Sequence, residues 1–172
     1  MATVAGVVLL GVTGCSPGGL ADDSSETTGA KPSDEVLAGV DPCGLLSDEE
    51  LKSFGLETQG GTRNELPWAP GCYYAGEPVS ARLEKNTRQT VASSEKRSTW
   101  ARFDRTQVNG RDAASAIPKG ATKARACVLM FDAGQGLIQI QTREIRLPDD
   151  VDECAKALEI AKKVEPNVPE PA

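Results

Sequence analysis

The 172-residue chain contains no histidine. Histidine is the commonest general base and the usual partner of a nucleophilic serine or cysteine, so Ser-His-Asp and Cys-His sites are excluded. Zinc sites with imidazole ligands are excluded for the same reason. An enzyme made from this chain would have to rely on carboxylates, lysine, tyrosine or a metal bound by oxygen atoms. We therefore expect a protein with no catalytic activity and no metal or other cofactor.

Aromatic residues and positive charge are also scarce. Aromatics make up 4% of the chain, so its core must consist mainly of Leu, Ile, Val and Ala, and a domain with such a core benefits from covalent cross-links. The formal net charge is −6, of which −4 falls in residues 16–40. The remaining chain is nearly neutral, which argues against a nucleic-acid partner bound through overall charge.

The N-terminal segment has the order of features found in exported lipoproteins. Residues 4–12 form an uncharged apolar run, too short to span a bilayer as a helix but suited to the hydrophobic region of a signal peptide. The run ends in Val12, Thr13, Gly14 and Cys15, which resembles the bacterial lipobox. In lipoproteins of that type the cysteine thiol receives a diacylglyceryl group, and cleavage leaves the cysteine as the first residue. A buried N-terminal strand with an incidental cysteine is the alternative.

These features predict the organisation of the whole chain. We expect a signal peptide over residues 1–14, a flexible tether over 15–40 with acyl chains such as palmitate on Cys15, a globular domain over 41–165 and a loose C-terminal tail over 166–172. The location would be extracytoplasmic, on the outer face of the cytoplasmic membrane. No Lys or Arg precedes the apolar run, although a signal peptide needs one; a start codon placed too late would explain this departure, and otherwise export is not supported.

Four cysteines remain once Cys15 is set aside: Cys43, Cys72, Cys127 and Cys154. An even number in an exported chain predicts a disulfide framework, for which three connectivities exist. We favour Cys43–Cys72 and Cys127–Cys154, because each pair is adjacent in sequence and closes a loop of about thirty residues. A four-cysteine metal site is disfavoured by the lack of any C-x₂₋₄-C spacing, and a catalytic thiol by the lack of a partner base.

Local signals predict helices near both ends of the domain. Ser47 and Glu50 form a capping box that opens a helix ending at Phe54, with Gly55 as its left-handed cap. The C-terminal helix is predicted to follow Pro148 and to end at Pro166, with acids in its first turn and lysines in its last. Its predicted apolar face comprises Val151, Cys154, Ala155, Leu158 and Ala161.

Strand signals lie between these helices. Residues 126–131 and 137–142 predict an antiparallel hairpin whose first strand, apolar on both faces, is interior to the sheet. Shorter strands are predicted at 71–74, 79–85 and 101–108, the last leading into a turn at Asn109–Gly110. Residues 88–100 are a loop or a marginal helix. The pattern predicts an α+β fold, an antiparallel β-sheet packed by N- and C-terminal helices and stapled by two disulfides.

Several short motifs occur in an order that resembles one known family. They are the lipobox, Asp41-Pro42-Cys43 with Leu45-Leu46, Gly71-Cys72-Tyr73, residues 109–113, the strand cysteine Cys127, and Asp152-Glu153-Cys154-Ala155. The ordered set resembles actinobacterial secreted lipoproteins carrying the domain of unknown function 3558. The resemblance implies the same two disulfides and an α+β architecture, and it assigns no activity.

Two features invite a binding role. Residues 82–111 contain eight basic and three acidic side chains, which would suit anionic lipid or a wall polymer if they formed one patch, although a solvated loop is the favoured interpretation. Trp68 could stack on a ligand, but we expect it to cover the Cys43–Cys72 bond. The acids at 149, 150, 152 and 153 match no calcium loop and suit a helix N-terminus.

We expect a binding or accessory module of the cell envelope, whose partner is an envelope protein, anionic lipid or wall polymer. A structural envelope protein without ligand and, with less support, a histidine-independent hydrolase are the alternatives.

Overall fold

The computed structural model describes residues 36–121, 125–144 and 151–172. The predicted signal peptide, Cys15 and nearly all of the predicted tether lie outside these described residues. The helices are α1 (Val36–Gly39), α2 (Asp48–Ser53), α3 (Val91–Glu95) and α4 (Glu153–Val164), with 3₁₀ turns at Pro42–Gly44 and Glu165–Asn167. The strands are β1 (Gly61–Arg63), β2 (Gly71–Tyr74), β3 (Val79–Asn86), β4 (Trp100–Val108), β5 (Arg111–Pro118), β6 (Ala126–Ala133) and β7 (Gly136–Glu144).

The seven strands form one antiparallel sheet in the order β1-β2-β3-β7-β6-β5-β4. Two meanders, β1 to β3 and β4 to β7, join where β3 pairs with β7 along eight residues of each strand. The predicted antiparallel sheet is therefore confirmed, as is the interior position of β6, which lies between β7 and β5 and is buried along almost its whole length.

Successive side chains of a strand point to opposite faces of the sheet, and the two faces differ. The first, here called the helix face, carries the larger core cluster, in which Leu83, Leu129 and Ile140 pack with Ile160 and Val164 of α4. The opposite face is divided. Its β4–β6 half holds a second apolar cluster that includes Val91 of α3 and Met130, whereas its β1–β3 and β7 half is polar.

Three local predictions are confirmed. Ser47 and Glu50 make both hydrogen bonds of the capping box, and α2 ends at Ser53 with Phe54 as its C-cap, followed by Gly55 at φ +74°. The turn between β4 and β5 is built on Asn109 at φ 51° and Gly110 at φ 91°, the left-handed pair that a tight hairpin requires. The predicted hairpin of β6 and β7 also forms.

The buried face of α4 differs from the predicted one. Ala157, Ile160, Ala161 and Val164 are its buried residues, whereas Ala155 is exposed. The helix begins at Glu153 with Asp152 as its cap, whose side chain accepts a hydrogen bond from the backbone N–H of Ala155. Residues 149 and 150, predicted to lie in its first turn, are outside the described residues.

The folded domain extends beyond the predicted boundaries at both ends. Leu37, assigned to the tether, is 3% exposed and belongs to the larger core cluster. The predicted loose tail is instead hydrogen-bonded to the β6–β7 turn, because Gly134 donates to the Glu170 carbonyl and Ala172 donates to the Gly134 carbonyl. These residues carry few apolar side chains, so the sequence pattern gave no sign that backbone hydrogen bonds would hold them.

Candidate functional site

The four domain cysteines are paired in the structure as Cys43–Cys72 and Cys127–Cys154. Both bonds lie on the helix face: the first joins the Pro42–Gly44 turn to β2, and the second joins β6 to α4. Tyr74 supports the first bond, since its buried hydroxyl donates to the Cys43 carbonyl over 2.9 Å. The bonded cysteines therefore have a structural role and offer no free thiol.

The basic stretch of residues 82–111 does not form one patch. Lys85 and Arg111 are buried, each donating to backbone carbonyls. Arg102 and Arg105 are held in ion pairs by Asp104 and Glu95 at 2.8 and 2.5 Å. The strands carry these side chains to different faces and edges of the sheet, so spacing along the chain was a poor guide to their grouping.

Trp68 packs against an arginine. Its ring lies under the guanidinium of Arg88, 4.1 Å from the ring centre, and its carbonyl accepts a hydrogen bond from the Thr87 backbone. Trp68 thus holds the β1–β2 connection against the residues that follow β3. That it covers the Cys43–Cys72 bond stays a prediction.

A different group of basic residues converges on the polar half of the sheet, opposite the helix face. We call this surface the arginine face. It is formed by alternate positions of four adjacent strands: Arg63 of β1, Tyr73 of β2, Ser80, Arg82 and Glu84 of β3, and Gln139, Gln141 and Arg143 of β7. Cross-strand register places Arg82 between Tyr73 and Gln141, and Arg143 opposite Ser80. Neighbours across strands lie about 5 Å apart at Cβ, so these side chains share one surface.

The arginines of this face differ in how they are held. Arg82 pairs with Glu84 at 2.6 Å, and Gln139 donates to the other oxygen of that carboxylate at 3.2 Å. Arg63 lies over the Tyr73 ring at 5.7 Å from its centre, and Arg143 is exposed. A shallow cavity of about 140 Å³ is lined by Tyr73, Ser80, Ala81, Arg82, Gln141 and Arg143. Arg82 and Arg143 therefore lie at this depression, and Arg63 lies on the same face outside its lining. Glu84 is the one carboxylate among the residues that define this face.

Burial affects the one carboxylate of the arginine face. Removal from water raises the pKa of Glu84, the Arg82 guanidinium opposes this rise, and the nearby charge of Glu65 adds to it. The ionised carboxylate is thus less favourable here than in water, although Arg82 pairs with it at 2.6 Å. An external anion could compete for that guanidinium.

Comparison with known proteins gives a family and no activity. Residues 10–167 match the family described as "Protein of unknown function (DUF3558)". The chain belongs to this family. No curated protein and no solved structure matches it. In the described part of this DUF3558 chain, no group of three or more His, Cys, Asp or Glu side chains is placed to hold a metal ion, and no helix is long and apolar enough to cross a membrane.

Larger clefts lie elsewhere in the described part of the DUF3558 domain. One of about 780 Å³ is bordered by α2 and the end of α4, but its Glu50 is already used by the capping box. Another of about 530 Å³ surrounds Arg111, whose guanidinium is taken by Glu165 and by the Pro169 carbonyl. A third of about 340 Å³ is lined by Arg102 and Arg125, which are ion-paired. Because these charged groups already serve the fold, we take the arginine face as the better candidate.

The arginine face was missed by sequence reasoning. Its strands β3 and β7 are separated by about fifty residues, and the register between them cannot be read from either strand alone. The available signal was the alternation of Ser80, Arg82 and Glu84 with apolar residues, which marks one polar face of a strand.

Proposed function

We propose that this chain is a binding module of the cell envelope, held on the outer face of the cytoplasmic membrane by a lipid on Cys15, and that it recognises its partner through the arginine face without catalysing a reaction. One observation carries the proposal. The arginine face gathers three arginines, a tyrosine and two glutamines from four strands onto one surface of the sheet.

Side chains on this surface suit recognition better than catalysis. Arginine and tyrosine are enriched where proteins bind partners, because they combine a large contact area with directional hydrogen bonds. The chain has no histidine to act as a base, and its four domain cysteines are oxidised. A hydrolase would need a nucleophile beside a base. The hydroxyl of Ser80 on the arginine face donates to the backbone carbonyl of Arg143 at 3.4 Å rather than to a base.

The proposed location is supported by the disulfides and by the N-terminal pattern. Disulfides persist in oxidising compartments outside the cytoplasm, and Cys15 follows an apolar run and two small residues. We also propose the finer architecture, in which helices from both ends of the domain cover the helix face. Burial of Leu51 of α2 with Ile160 of α4 in one cluster supports it.

The experiment is photo-crosslinking on intact cells. A photoreactive residue replaces Gln141 on the arginine face, and the control replaces Glu159, which is exposed on α4. We expect crosslinks to a partner or to lipid from position 141 and none from position 159. Fractionation of the same cells should place the protein in the membrane, and Cys15→Ala should release it or leave the precursor. Equal labelling from both positions would favour a structural envelope protein without a dedicated binding surface.

A further inference from the structure

We infer that the arginine face docks on an anionic phospholipid bilayer, with the phosphate groups bound by Arg63, Arg82 and Arg143 and with Leu66 entering the interface between headgroups and acyl chains. This inference rests on the proposed function, which puts the domain beside a membrane. It adds the identity of the surface that is recognised.

The chemistry of the side chains selects oxyanions. A guanidinium presents parallel N–H groups that match the oxygen atoms of a phosphate, and it binds them more strongly than a neutral donor does. Arg82 has a second feature of this kind, because its Nε–H is buried and has no hydrogen-bond partner among the described residues. That nitrogen lies close to the backbone of Gly71, where an added Cβ would be 3.4 Å from it.

The shape of the arginine face indicates which kind of molecule carries the bound oxyanions. A cavity of about 140 Å³ admits a single phosphate-sized group and little more, and it opens on the flat side of a sheet. Arg82 of β3 and Arg143 of β7 line that cavity, whereas Arg63 of β1 lies outside its lining. A surface that carries many phosphate groups side by side fits this arrangement, whereas a small soluble ligand would meet only one or two of the arginines.

The exposed side chain of Leu66 favours a bilayer over other polyanions as the surface that the arginine face binds. It is 45% exposed and is the single large hydrophobic residue exposed in the described part of the chain. One exposed leucine is common and proves nothing alone. Its place in the chain gives the argument, because it follows Arg63 by three residues in the connection between β1 and β2. Cations beside an exposed apolar side chain are the pattern of proteins that lie on anionic membranes.

The test uses the full chain with Cys15→Ser, so that no lipid is attached. Its partition is measured onto vesicles of phosphatidylcholine alone and of phosphatidylcholine mixed with phosphatidylglycerol. The apolar run of residues 4–12 can contribute to partition onto both vesicle types, so the readout is the difference in partition between them. We expect a clear preference for the anionic vesicles that weakens with added salt.

Charge-matched variants locate the surface. Arg63→Gln with Arg143→Gln should lower partition onto anionic vesicles by about thirtyfold, or about 1 kcal/mol per cation. The control is Lys162→Gln with Lys163→Gln, which removes two exposed cations from α4 on the helix face. This control should change partition much less. An equal loss in both double variants would overturn the inference, because binding would then follow net charge alone.

A variant that increases partition onto vesicles tests the inference in a way that damage to the fold cannot imitate. Glu84→Gln removes the carboxylate that holds Arg82, and it should raise partition several-fold, whereas Glu49→Gln on α2 should not. Leu66→Ser should lower partition even at high salt, since its contribution is not electrostatic.

Two outcomes separate failure of the inference from failure of the proposed function. Equal partition onto both vesicle types, together with crosslinks from position 141 on cells, would overturn bilayer docking and leave a binding module for a protein or wall polymer. Loss of binding on adding inorganic phosphate, but not chloride of equal ionic strength, would replace the bilayer by a free oxyanion ligand. Absence of both vesicle binding and crosslinks would overturn the inference and the proposed function together.

Discussion

Replacing Arg111 by methionine should destabilise the domain and release the end of the chain. The Arg111 guanidinium pairs with Glu165 at 2.7 Å and Glu170 at 3.2 Å, and it donates to the Pro169 carbonyl at 2.8 Å. It also lies 5.6 Å from the centre of the Phe131 ring. One side chain from the start of β5 therefore holds the segment that follows α4.

The exposed fractions set the magnitude of this effect. The side chains of Arg111 and Glu165 are 6% and 13% exposed, so removal of the arginine leaves a largely buried carboxylate with Asn109 as its remaining donor. Breaking such a pair from one side costs about 3 kcal/mol. The pair with Glu170 adds little, about 0–1 kcal/mol, because that carboxylate is 86% exposed. Arg111→Met should therefore lower the free energy of unfolding by about 3 kcal/mol.

Urea unfolding at neutral pH measures this loss, and hydrogen exchange follows the tail. The amides of Gly134 and Ala172, which bond the tail to the β6–β7 turn, should lose protection in the variant. The double variant Arg111→Met with Glu165→Gln should recover most of the stability, because no unpaired charge remains. The reasoning is refuted if the single variant costs under about 1 kcal/mol, or if the double variant is no more stable than the single one.

Three further predictions concern stability. Tyr74→Phe removes the donor of the buried tyrosine to the Cys43 carbonyl and should cost about 1–2 kcal/mol in urea unfolding. A neutral result would mean that water takes the place of the hydroxyl. Gly55→Ala places a Cβ against a backbone carbonyl at φ +74° and should cost over about 1 kcal/mol of stability. The control Gly39→Ala, whose Cβ meets no atom within 4 Å, should be near neutral. Similar melting temperatures for the two variants would contradict this prediction. Because burial raises the pKa of Glu84, this carboxylate binds a proton more readily in the native protein than in the unfolded chain. Stability should therefore fall as pH rises from the ordinary glutamate pKa through the raised one. Urea unfolding measured across that pH range should show a smaller fall for Glu84→Gln than for the parent chain.

Elements with local signals could be predicted from the sequence. The capping box at Ser47, the left-handed Gly55 and the Asn109–Gly110 turn each depend on residues within one helical turn or one hairpin. Disulfide pairing was predictable for a similar reason, since the bonded cysteines are 29 and 27 residues apart and neighbouring in the chain.

Elements stabilised by distant neighbours could not be predicted. β5 (Arg111–Pro118) is rich in alanine, which has little preference for strands, and its state follows from pairing with β4 on one side and β6 on the other. β1 is three exposed residues at the sheet edge, too short for any periodicity. α4 was predicted to follow Pro148, whereas Asp152 is the residue that caps it, and its buried face is set by contacts with the sheet that the periodicity alone does not show.

The larger core cluster and the proposed binding surface lie on opposite faces of the sheet, which has a consequence for variants. The disulfides, the Tyr74 hydroxyl and the α4 contacts all act on the helix face, so a change there is expected to alter the fold. Arg63 and Arg143 are exposed on the other side and belong to neither core cluster. Loss of their charge should leave the free energy of unfolding within about 0.5 kcal/mol of the parent chain. Unchanged unfolding together with reduced vesicle partition would therefore assign the charge of this face to the proposed binding, whereas a large loss of stability would assign it to the fold.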